Sequence, residues 1–306
     1  MGDRYGLPYM GSKNKIADWV LSYLPSADNF YDLCCGGCAI THCAIVNSRY
    51  GNYYINDIKR EMPFGFLDCI NGVYSGDYRW ISRDDFERLK GSGDLLVDIC
   101  FSFGNNWRKG YAYSRELEPY KRALHYAILH SNYTQFRELT GIDLSPIGRY
   151  NDIYSRYNSA KNIITNHTDM QNNLLENLER LLNLERLQRI NDLYKMRDKD
   201  LHIYASSLSY DEVDIKPNSV IYMDIPYRST AKYNDVDFDY DKFYSWALSQ
   251  SAPVFISEYN MPDDFVCIAA KHKTSGFSAT NKSLDTVEKL FVTREYYNKM
   301  PRNTLF

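Results

Sequence analysis

Short apolar runs alternate with polar segments along this chain, a pattern that predicts buried strands joined by amphipathic helices. The first amphipathic stretch predicts a helix over residues 9–24 with Ser12 as its N-cap. A strand that starts at Phe30 leads into a glycine turn and a helix over about residues 39–46. Further strands are predicted at residues 53–56, 201–205, 220–223 and 253–257, a helix at 241–248, and an antiparallel pair at 265–270 and 287–293. The alternation of strands and helices predicts an α/β fold.

A long segment, residues 62–200, interrupts this alternation. We therefore predict one domain formed by residues 1–61 and 201–306, with residues 62–200 inserted into it. The length of 306 residues is sufficient for this arrangement. Within the insertion, apolar residues recur at every third position from Leu178 to Leu193, which predicts a buried helical segment.

The run from Val220 to Tyr227 combines a buried strand with an abrupt polar end. Four apolar or aromatic residues lead directly into Asp224, and Pro226 restricts the backbone of Ile225. A carboxylate at the carboxyl end of a strand lies where open α/β sheets bind ligands. The Asp224 carboxylate and the Ile225 carbonyl, with a tyrosine ring behind them, suit the exocyclic amino group of a planar base. A strand that simply ends in a turn is the alternative.

Two other predicted strand ends also suit a ligand. Gly36 and Gly37 allow a small ligand to lie across the end of the first strand. Their spacing is not G-x-G-x-x-G, so a dinucleotide is not the expected guest. Asp57 follows the second strand, where nucleotide-binding folds hold ribose hydroxyls. Alternatively, Asp57 is a helix N-cap before Ile58.

Charge is distributed unevenly along the chain. The net charge is −3, but residues 101–161 hold nine Lys/Arg against five Asp/Glu, and residues 271–306 hold seven against three. Residues 201–270 hold four against eleven. A phosphate backbone would therefore meet the middle of the chain and its tail. Residues 107–115 and 120–122 interleave basic and aromatic residues, which suits a nucleic-acid surface; a solvated hairpin and helix start is the alternative.

The seven cysteines form no paired framework. Cys35-Gly36-Gly37-Cys38 is a C-x-x-C motif without the second pair that a zinc site needs, so buried thiols and no metal are predicted. Charged residues interrupt any apolar run at the N-terminus, and no stretch is apolar for long enough to span a bilayer. We expect a cytoplasmic protein that does not enter a membrane.

Taken in order, four motifs resemble those of the Dam-type DNA adenine-N6 methyltransferases. They are Tyr9-Met10-Gly11-Ser12-Lys13, Asp32-Leu33-Cys34-Cys35-Gly36-Gly37, Asp57 and Asp224-Ile225-Pro226-Tyr227. The order is similar to that of the D12-class subgroup in which an N-terminal Tyr-x-Gly-Ser-Lys motif precedes the glycine motif. The resemblance implies a Rossmann-like methyltransferase sheet built from residues 1–61 and 201–306. It also implies that residues 62–200 are a mainly helical DNA target-recognition region.

The resemblance further implies methyl transfer from S-adenosylmethionine to N6 of an adenine that is flipped out of double-stranded DNA. It implies a catalytic role for Asp224, Ile225, Pro226 and Tyr227. The cofactor-binding residues that it implies are Tyr9, Met10, Gly11, Ser12, Lys13, Asp32, Cys34, Gly36, Gly37, Asp57 and Ser209. The predicted DNA-binding residues are Arg108, Lys109, Tyr111, Arg115, Lys121 and Arg122.

Two positions depart from the family pattern. Ile225 stands where the family has its first proline, and Ser209 stands where it has an acid that binds the adenine amino group of the cofactor. Ile225 retains the backbone carbonyl, so we expect activity to survive. Serine accepts a hydrogen bond more weakly than a carboxylate, so cofactor affinity is the quantity that we expect to change.

Two other functions stay open from the sequence. One is a cytosine-N4 methyltransferase, although resemblance to that group would favour serine in place of Asp224. The other is a catalytically silent DNA-binding protein with the same fold. The resemblance makes a GATC-like recognition site the first expectation, and no obligate protein partner is evident.

Overall fold

The computed structural model of the protein describes residues 5–9, 11–167, 182–197, 200–228, 238–275 and 284–300. Its strands are β1 (Asn29–Asp32), β2 (Asn52–Asn56), β3 (His202–Ser206), β4 (Ser219–Met223), β5 (Val254–Glu258), β6 (Phe265–Ser275) and β7 (Leu284–Thr293). They form one seven-stranded sheet in the order β3-β2-β1-β4-β5-β7-β6. Neighbours are parallel from β3 to β5, and β7 is antiparallel to β5 and β6. The predicted α/β fold with a Rossmann-like sheet is confirmed.

The helices of the described residues flank this sheet and fill the segment between β2 and β3. They are α1 (Ala17–Tyr23), α2 (Ala39–Val46), α3 (Glu61–Asn71), α4 (Arg83–Leu89), α5 (Glu118–His130), α6 (Thr134–Thr140), α7 (Ile153–Asn166), α8 (Leu182–Leu193), α9 (Tyr240–Ser249) and α10 (Arg294–Lys299). A π-helix spans Leu96–Cys100. None of these helices is long and apolar enough to cross a membrane.

The central strands were predicted to within two residues because their apolar runs are continuous. Every residue of β1, β4 and β5 is buried, as expected for parallel strands covered on both faces. The closing pair is longer than predicted, since β6 continues to Ser275 and β7 begins at Leu284. These extra residues continue the pairing beyond the end of β5, where no apolar run marks them.

The first helix is shorter than predicted, and the proposed cap is wrong. α1 begins at Ala17, and its N-cap position makes no side-chain hydrogen bond. The Ser12 hydroxyl instead accepts the Asn14 backbone N–H at 3.3 Å. The Ile16 N–H donates to the Lys13 carbonyl at 2.9 Å. The chain therefore makes turns before α1, and these turns leave Lys13 only 7% exposed.

The described helices of residues 62–200 belong to two cores. Phe66 of α3 and Leu187 and Ile190 of α8 share the core that contains the sheet. Helices α5, α6 and α7 enclose a second core, to which α8 adds Leu184. The insertion is thus partly built onto the sheet, and its predicted boundaries stay a prediction. The three-residue repeat is helical and buried from Leu184 to Leu193, whereas Leu178 and Leu181 lie outside the described residues.

Helix α8 connects the insertion to the N-terminal segment. The Arg189 guanidinium donates to the carbonyls of Gly6, at 2.7 Å, and Tyr5. Arg186 donates to the carbonyls of Cys100 and Ser102, both at 2.8 Å, at the end of the π-helix. One face of α8 therefore holds both the backbone at the end of the π-helix and the backbone of the N-terminal segment.

Candidate active site

Three aspartates stand at the carboxyl ends of neighbouring strands. Asp32 ends β1, Asp57 follows β2, and Asp224 follows β4. The strand order reverses between β1 and β4, and open α/β sheets bind ligands at such a point. Burial and then all three carboxylates raise the pKa of the Cys34 thiol well above its ordinary value, which places this thiol within electrostatic range of each acid. The fold thus gathers acids that the sequence predicted separately.

Asp224 is paired with a buried cation. Lys13 Nζ lies 2.9 Å from Asp224 Oδ1 and 4.0 Å from Glu288 Oε2. The side chains of Lys13 and Glu288 are 8% and 4% exposed, whereas Asp224 keeps 23%. Burial acts to lower the pKa of Lys13, but the two carboxylates outweigh it and hold that pKa above its ordinary value. Asp224 is therefore a partly accessible carboxylate held by a buried ammonium group.

The ring of Tyr227 is fixed by three contacts. Its hydroxyl donates to Glu288 Oε2 at 2.6 Å, and its ring meets the Tyr259 ring edge-on with centroids 4.5 Å apart. Lys13 Nζ lies 4.7 Å from the Tyr227 ring centroid. Burial and the nearby carboxylates of Asp224 and Glu288 raise the pKa of the Tyr227 hydroxyl, so it remains a hydrogen-bond donor.

The backbone of this loop is also held. The Pro226 carbonyl accepts a hydrogen bond from the Tyr240 hydroxyl at 2.8 Å. The buried Glu258 carboxylate at the end of β5 accepts the Arg228 N–H at 3.2 Å. Ile225, between them, is 2% exposed and packs in the core beneath the sheet end. The loop is a built feature of the sheet edge rather than a plain turn after a strand.

The glycine turn touches the N-terminal segment closely. The Leu7 N–H donates to the Gly37 carbonyl at 2.6 Å. A Cβ at Gly37 would lie 2.7 Å from the Leu7 carbonyl oxygen, and one at Gly36, where φ is +45°, would lie 3.0 Å from the Tyr9 ring. The Gly36 N–H also donates to Asp57 Oδ2 at 2.9 Å. Glycine is required here because backbone and ring approach so closely.

Asp57 organises the end of β2 and does not cap a helix. Its Oδ1 atom accepts the Lys59 N–H at 2.9 Å, and α3 begins only at Glu61 without a side-chain cap. Burial raises the pKa of Asp57 above its ordinary value. Lys59 Nζ donates to the Tyr9 hydroxyl at 3.0 Å. Burial, with a smaller contribution from the nearby Arg108, lowers the pKa of Lys59.

Asp32 is a buried carboxylate, and only one of its two oxygens has a hydrogen-bond partner among the described residues. Oδ2 accepts the Thr41 hydroxyl at 2.7 Å, whereas Oδ1 has no hydrogen-bond partner among the described residues. Asp32 is 1% exposed, and burial raises its pKa to about 7. Buried polar atoms are rarely left without partners, so this oxygen suits a ligand that donates a hydrogen bond.

Hydrogen bonds of Asn56 and Ser207 hold the backbone of two exposed apolar residues, Leu208 and Ile58, that sequence reasoning missed. The Asn56 side chain donates to the Leu208 carbonyl at 3.0 Å and accepts the Leu208 N–H at 2.9 Å. The Ser207 hydroxyl donates to the Ile58 carbonyl at 3.3 Å. Ile58, the residue after Asp57, and Leu208 are 66% and 44% exposed, so both apolar side chains are accessible to a ligand. A large apolar residue directly after a strand-end acid was the available signal.

Ser209, which was predicted to bind the cofactor, makes hydrogen bonds within its own turn. Its hydroxyl donates to Asp211, and its N–H donates to Glu212 at 3.1 Å, so Ser209 caps the turn of Tyr210–Glu212. Lys242 Nζ lies 2.6 Å from the other Asp211 oxygen. Asp211, two residues beyond Ser209, is thus an acid of this connection that is already paired with Ser209 and Lys242.

Two further residues of the N-terminal motif, Gly11 and Ser12, are accessible. Gly11 is exposed and adopts a φ of +83°. Ser12 is half-buried. Met10 lies outside the described residues. Cys35 and Cys38 are buried, and burial raises the pKa of both thiols, as expected for packed thiols.

The predicted DNA-binding residues divide into two groups. Arg108, Lys109, Arg115 and Arg122 are exposed. Tyr111 and Lys121 are 8% and 3% exposed, and the Tyr111 hydroxyl donates to the Ile81 carbonyl at 2.7 Å. Tyr111 and Lys121 therefore belong to the interior of the insertion, and the accessible basic surface is smaller than predicted.

The D12 class N6 adenine-specific DNA methyltransferase family matches residues 9–248, most of the 306-residue chain. A comparison with curated proteins gave no match. The matched family is enzymatic and adenine-specific, unlike the cytosine-N4 and silent alternatives, whereas the narrower Dam-type subgroup stays a prediction. The matched range contains all three strand-end aspartates but ends before Glu258 and Glu288. The protein belongs to the D12 class N6 adenine-specific DNA methyltransferase family, whose members transfer a methyl group to adenine in DNA.

Proposed function

We propose that the carboxyl edge of the sheet transfers a methyl group from S-adenosylmethionine to N6 of a single adenine in double-stranded DNA. The observation that carries this proposal is the placement of Asp224 at the switch point between β1 and β4, beside the glycine turn. A methyl donor bound at the glycine turn and an adenine bound at Asp224 would then meet at adjacent strand ends. Alignment of two bound reactants supplies much of the rate of such a displacement.

The residues around the glycine turn fit this cofactor. The free Oδ1 atom of Asp32 suits a cationic amino group, and Asp57 can accept from ribose hydroxyls. Ile58 and Leu208 can cover the two faces of an adenine ring. When bound, S-adenosylmethionine supplies a methyl group on a positively charged sulfur. This part of the pocket would be lined by Cys34, Gly36 and Gly37 together with Tyr9, Gly11 and Ser12.

We assign Lys13 and Ser209 different roles from those expected. Lys13 lies against Asp224 and Glu288, so it belongs to the methyl-acceptor side rather than to the cofactor. The Ser209 hydroxyl is committed to Asp211. Ser209 therefore supports the connection after β3, and Ile58 and Leu208 become the chief contacts to a ring in this region.

The acceptor side would orient a flipped-out adenine. Asp224 and the Ile225 carbonyl accept hydrogen bonds from N6, which direct the nitrogen lone pair towards the methyl donor. The same acceptors stabilise the positive charge that develops on N6 during transfer. Pro226 keeps the Ile225 carbonyl in one direction, and Tyr227 stacks on the base. The base must leave the helix because N6 is not accessible within the stack.

The insertion, residues 62–200, would recognise the DNA target. Its exposed cations Arg108, Lys109, Arg115 and Arg122 suit phosphate contacts. The charge of Arg108 contributes to the lowered pKa of Lys59, which supports a DNA-binding surface close to the proposed cofactor pocket. We keep a GATC-like site as the first sequence to test. A DNA substrate agrees with the cytoplasmic location expected from the sequence, and the activity as proposed requires no protein partner.

The test is a single-turnover assay with S-adenosylmethionine and DNA duplexes, followed by mass spectrometry of the nucleosides. We expect N6-methyladenine from duplexes that contain adenine in a GATC-like context. Sequencing methylated DNA from cells that express the protein gives the recognition site without assuming it. Methylcytosine as the product, or no methylated nucleoside from any duplex, would overturn the proposal.

A further inference from the structure

We infer that Glu288 is a positioning residue of the methyl-transfer site, which therefore extends to β7, beyond the family match. The inference rests on the proposed function of Asp224 and Tyr227. Glu288 touches neither the target base nor the cofactor in this account. It acts through Tyr227 and Lys13, the two side chains that support the target base and the Asp224 carboxylate.

The geometry joins both side chains to one carboxylate oxygen. Glu288 Oε2 accepts the Tyr227 hydroxyl at 2.6 Å and lies 4.0 Å from Lys13 Nζ. The same ammonium group lies 2.9 Å from Asp224 Oδ1 and 4.7 Å from the Tyr227 ring centroid. The Glu288 side chain is 4% exposed. A buried carboxylate destabilises a protein unless it is paired, and the partners of Glu288 are the Tyr227 hydroxyl and the Lys13 ammonium group.

The register of the sheet explains how Glu288 reaches the site. Glu258, the last residue of β5, is opposite Lys289 of β7. β7 runs antiparallel to β5. Glu288, which precedes Lys289 in β7, therefore lies just past the carboxyl end of β5. That is the edge where Asp224 and the glycine turn lie. The family match ends at residue 248, before both strands.

The charges suggest what Glu288 does for the reaction. One ammonium group against the carboxylates of Asp224 and Glu288 leaves a net charge of −1 in this cluster. With Glu288 present, Lys13 is shared, and the Asp224 carboxylate keeps negative charge for the amino group of the base. If Glu288 were neutral, Lys13 would pair with Asp224 alone and weaken it as an acceptor. The Tyr227 ring would also lose the charged acceptor that fixes its rotation.

The experiment compares Glu288→Gln with wild type in single-turnover methyl transfer at saturating DNA and S-adenosylmethionine. Glutamine preserves the shape and an acceptor oxygen but removes the charge. We expect the rate to fall roughly ten- to a hundredfold, the effect of losing a charge-assisted contact. Cofactor and DNA dissociation constants should change by about twofold or less, because Glu288 contacts neither ligand. Glu295→Gln is the control, since this exposed residue of α10 pairs only weakly with Lys299 at the surface.

A second variant separates positioning from general stability. Tyr227→Phe removes only the hydroxyl that donates to Glu288. If the two residues act together, the rate loss in the double variant should be smaller than the product of the two single losses. Equal melting temperatures of the variants exclude loss of folding as the cause. If Glu288→Gln does not fold, the Tyr227→Phe rate alone decides: an unchanged rate rejects the positioning role.

The two failures are distinguishable. A wild-type protein that makes no N6-methyladenine removes the proposed function. A wild-type protein that makes it, with Glu288→Gln as fast as Glu295→Gln, removes this inference and leaves the proposed function intact. A loss that appears only as weaker DNA or cofactor binding also rejects positioning, because it would make Glu288 part of a binding surface.

Discussion

The Asp224–Arg228 loop and the 107–122 segment both combine charged and aromatic residues, yet the fold uses them differently. In the loop, polar groups are held by partners from distant elements: Lys13, Tyr240, Glu258 and Glu288. In the segment, Tyr111 and Lys121 are buried inside the insertion while the neighbouring Arg122 is exposed. A motif at a strand end has its environment set by the sheet. A basic and aromatic composition on its own does not determine which of its members reach the surface.

The largest expected effect is at the loop. Asp224→Ala should leave DNA binding nearly intact and lower the single-turnover rate by on the order of 10² to 10³, because its bond to N6 matters most as charge develops. The variant also releases the Lys13 ammonium group from its 2.9 Å contact. Measured rates with pre-bound DNA separate chemistry from binding. Full activity in Asp224→Ala would mean that another group orients the base.

Ile225→Pro is the matched change at the next residue. It keeps the carbonyl and restores the family pattern, so we expect a rate equal to or slightly above that of wild type. The replaced side chain is 2% exposed, so a modest loss in melting temperature accompanies the change. Activity that appears only in Ile225→Pro would mean that the wild-type loop is catalytically silent.

The cofactor side of the edge gives the next largest effect. Asp57→Ala should weaken S-adenosylmethionine binding by roughly 1.5–3 kcal/mol, about ten- to a hundredfold. The change removes an acceptor for ribose and also the 2.9 Å contact that holds the Gly36 N–H. Calorimetry on the folded variant measures it, and Asp57→Asn, which keeps one acceptor oxygen, should lose less. Unchanged affinity in Asp57→Ala contradicts the assignment.

Asp32 predicts a pH dependence of cofactor binding. Its pKa is raised to about 7 because the carboxylate is buried. A cationic amino group beside Oδ1 favours the ionised form, so the pKa falls on binding and a proton is released. Affinity should therefore weaken as the pH drops below about 7, approaching tenfold per pH unit. Calorimetry at several pH values measures this, and Asp32→Asn should flatten the dependence. The same pH profile in both proteins would contradict the role of Asp32.

The sequence predicted the elements that apolar runs define and the acids that end them. β1, β2, β4 and β5, with Asp57 and Asp224 after two of them, follow from local pattern alone, whereas Asp32 was predicted from the family resemblance. Features that depend on packing between distant segments were missed. No local signal marks Glu288 as a partner of Tyr227, since 61 residues separate them. The turn at Lys13 was predicted as helix for the same reason.

The smallest expected effects concern the basic segment, and they test the division between its exposed and buried residues. Each phosphate contact contributes a slope of about −0.9 to log K against log salt. Glutamine at Arg108, Lys109, Arg115 or Arg122 should therefore flatten the salt dependence of DNA binding.

Lys121→Gln should instead lower the melting temperature and leave the slope unchanged, because Lys121 is 3% exposed. Lys299→Gln, an exposed change on α10, controls for the loss of one positive charge anywhere on the protein. DNA affinity measured at several salt concentrations decides between the residues. A flattened slope in Lys121→Gln, with the protein still folded, would mean that the insertion opens on DNA and brings this buried cation to the phosphates. An unchanged slope in all four exposed variants would mean that another surface binds the DNA.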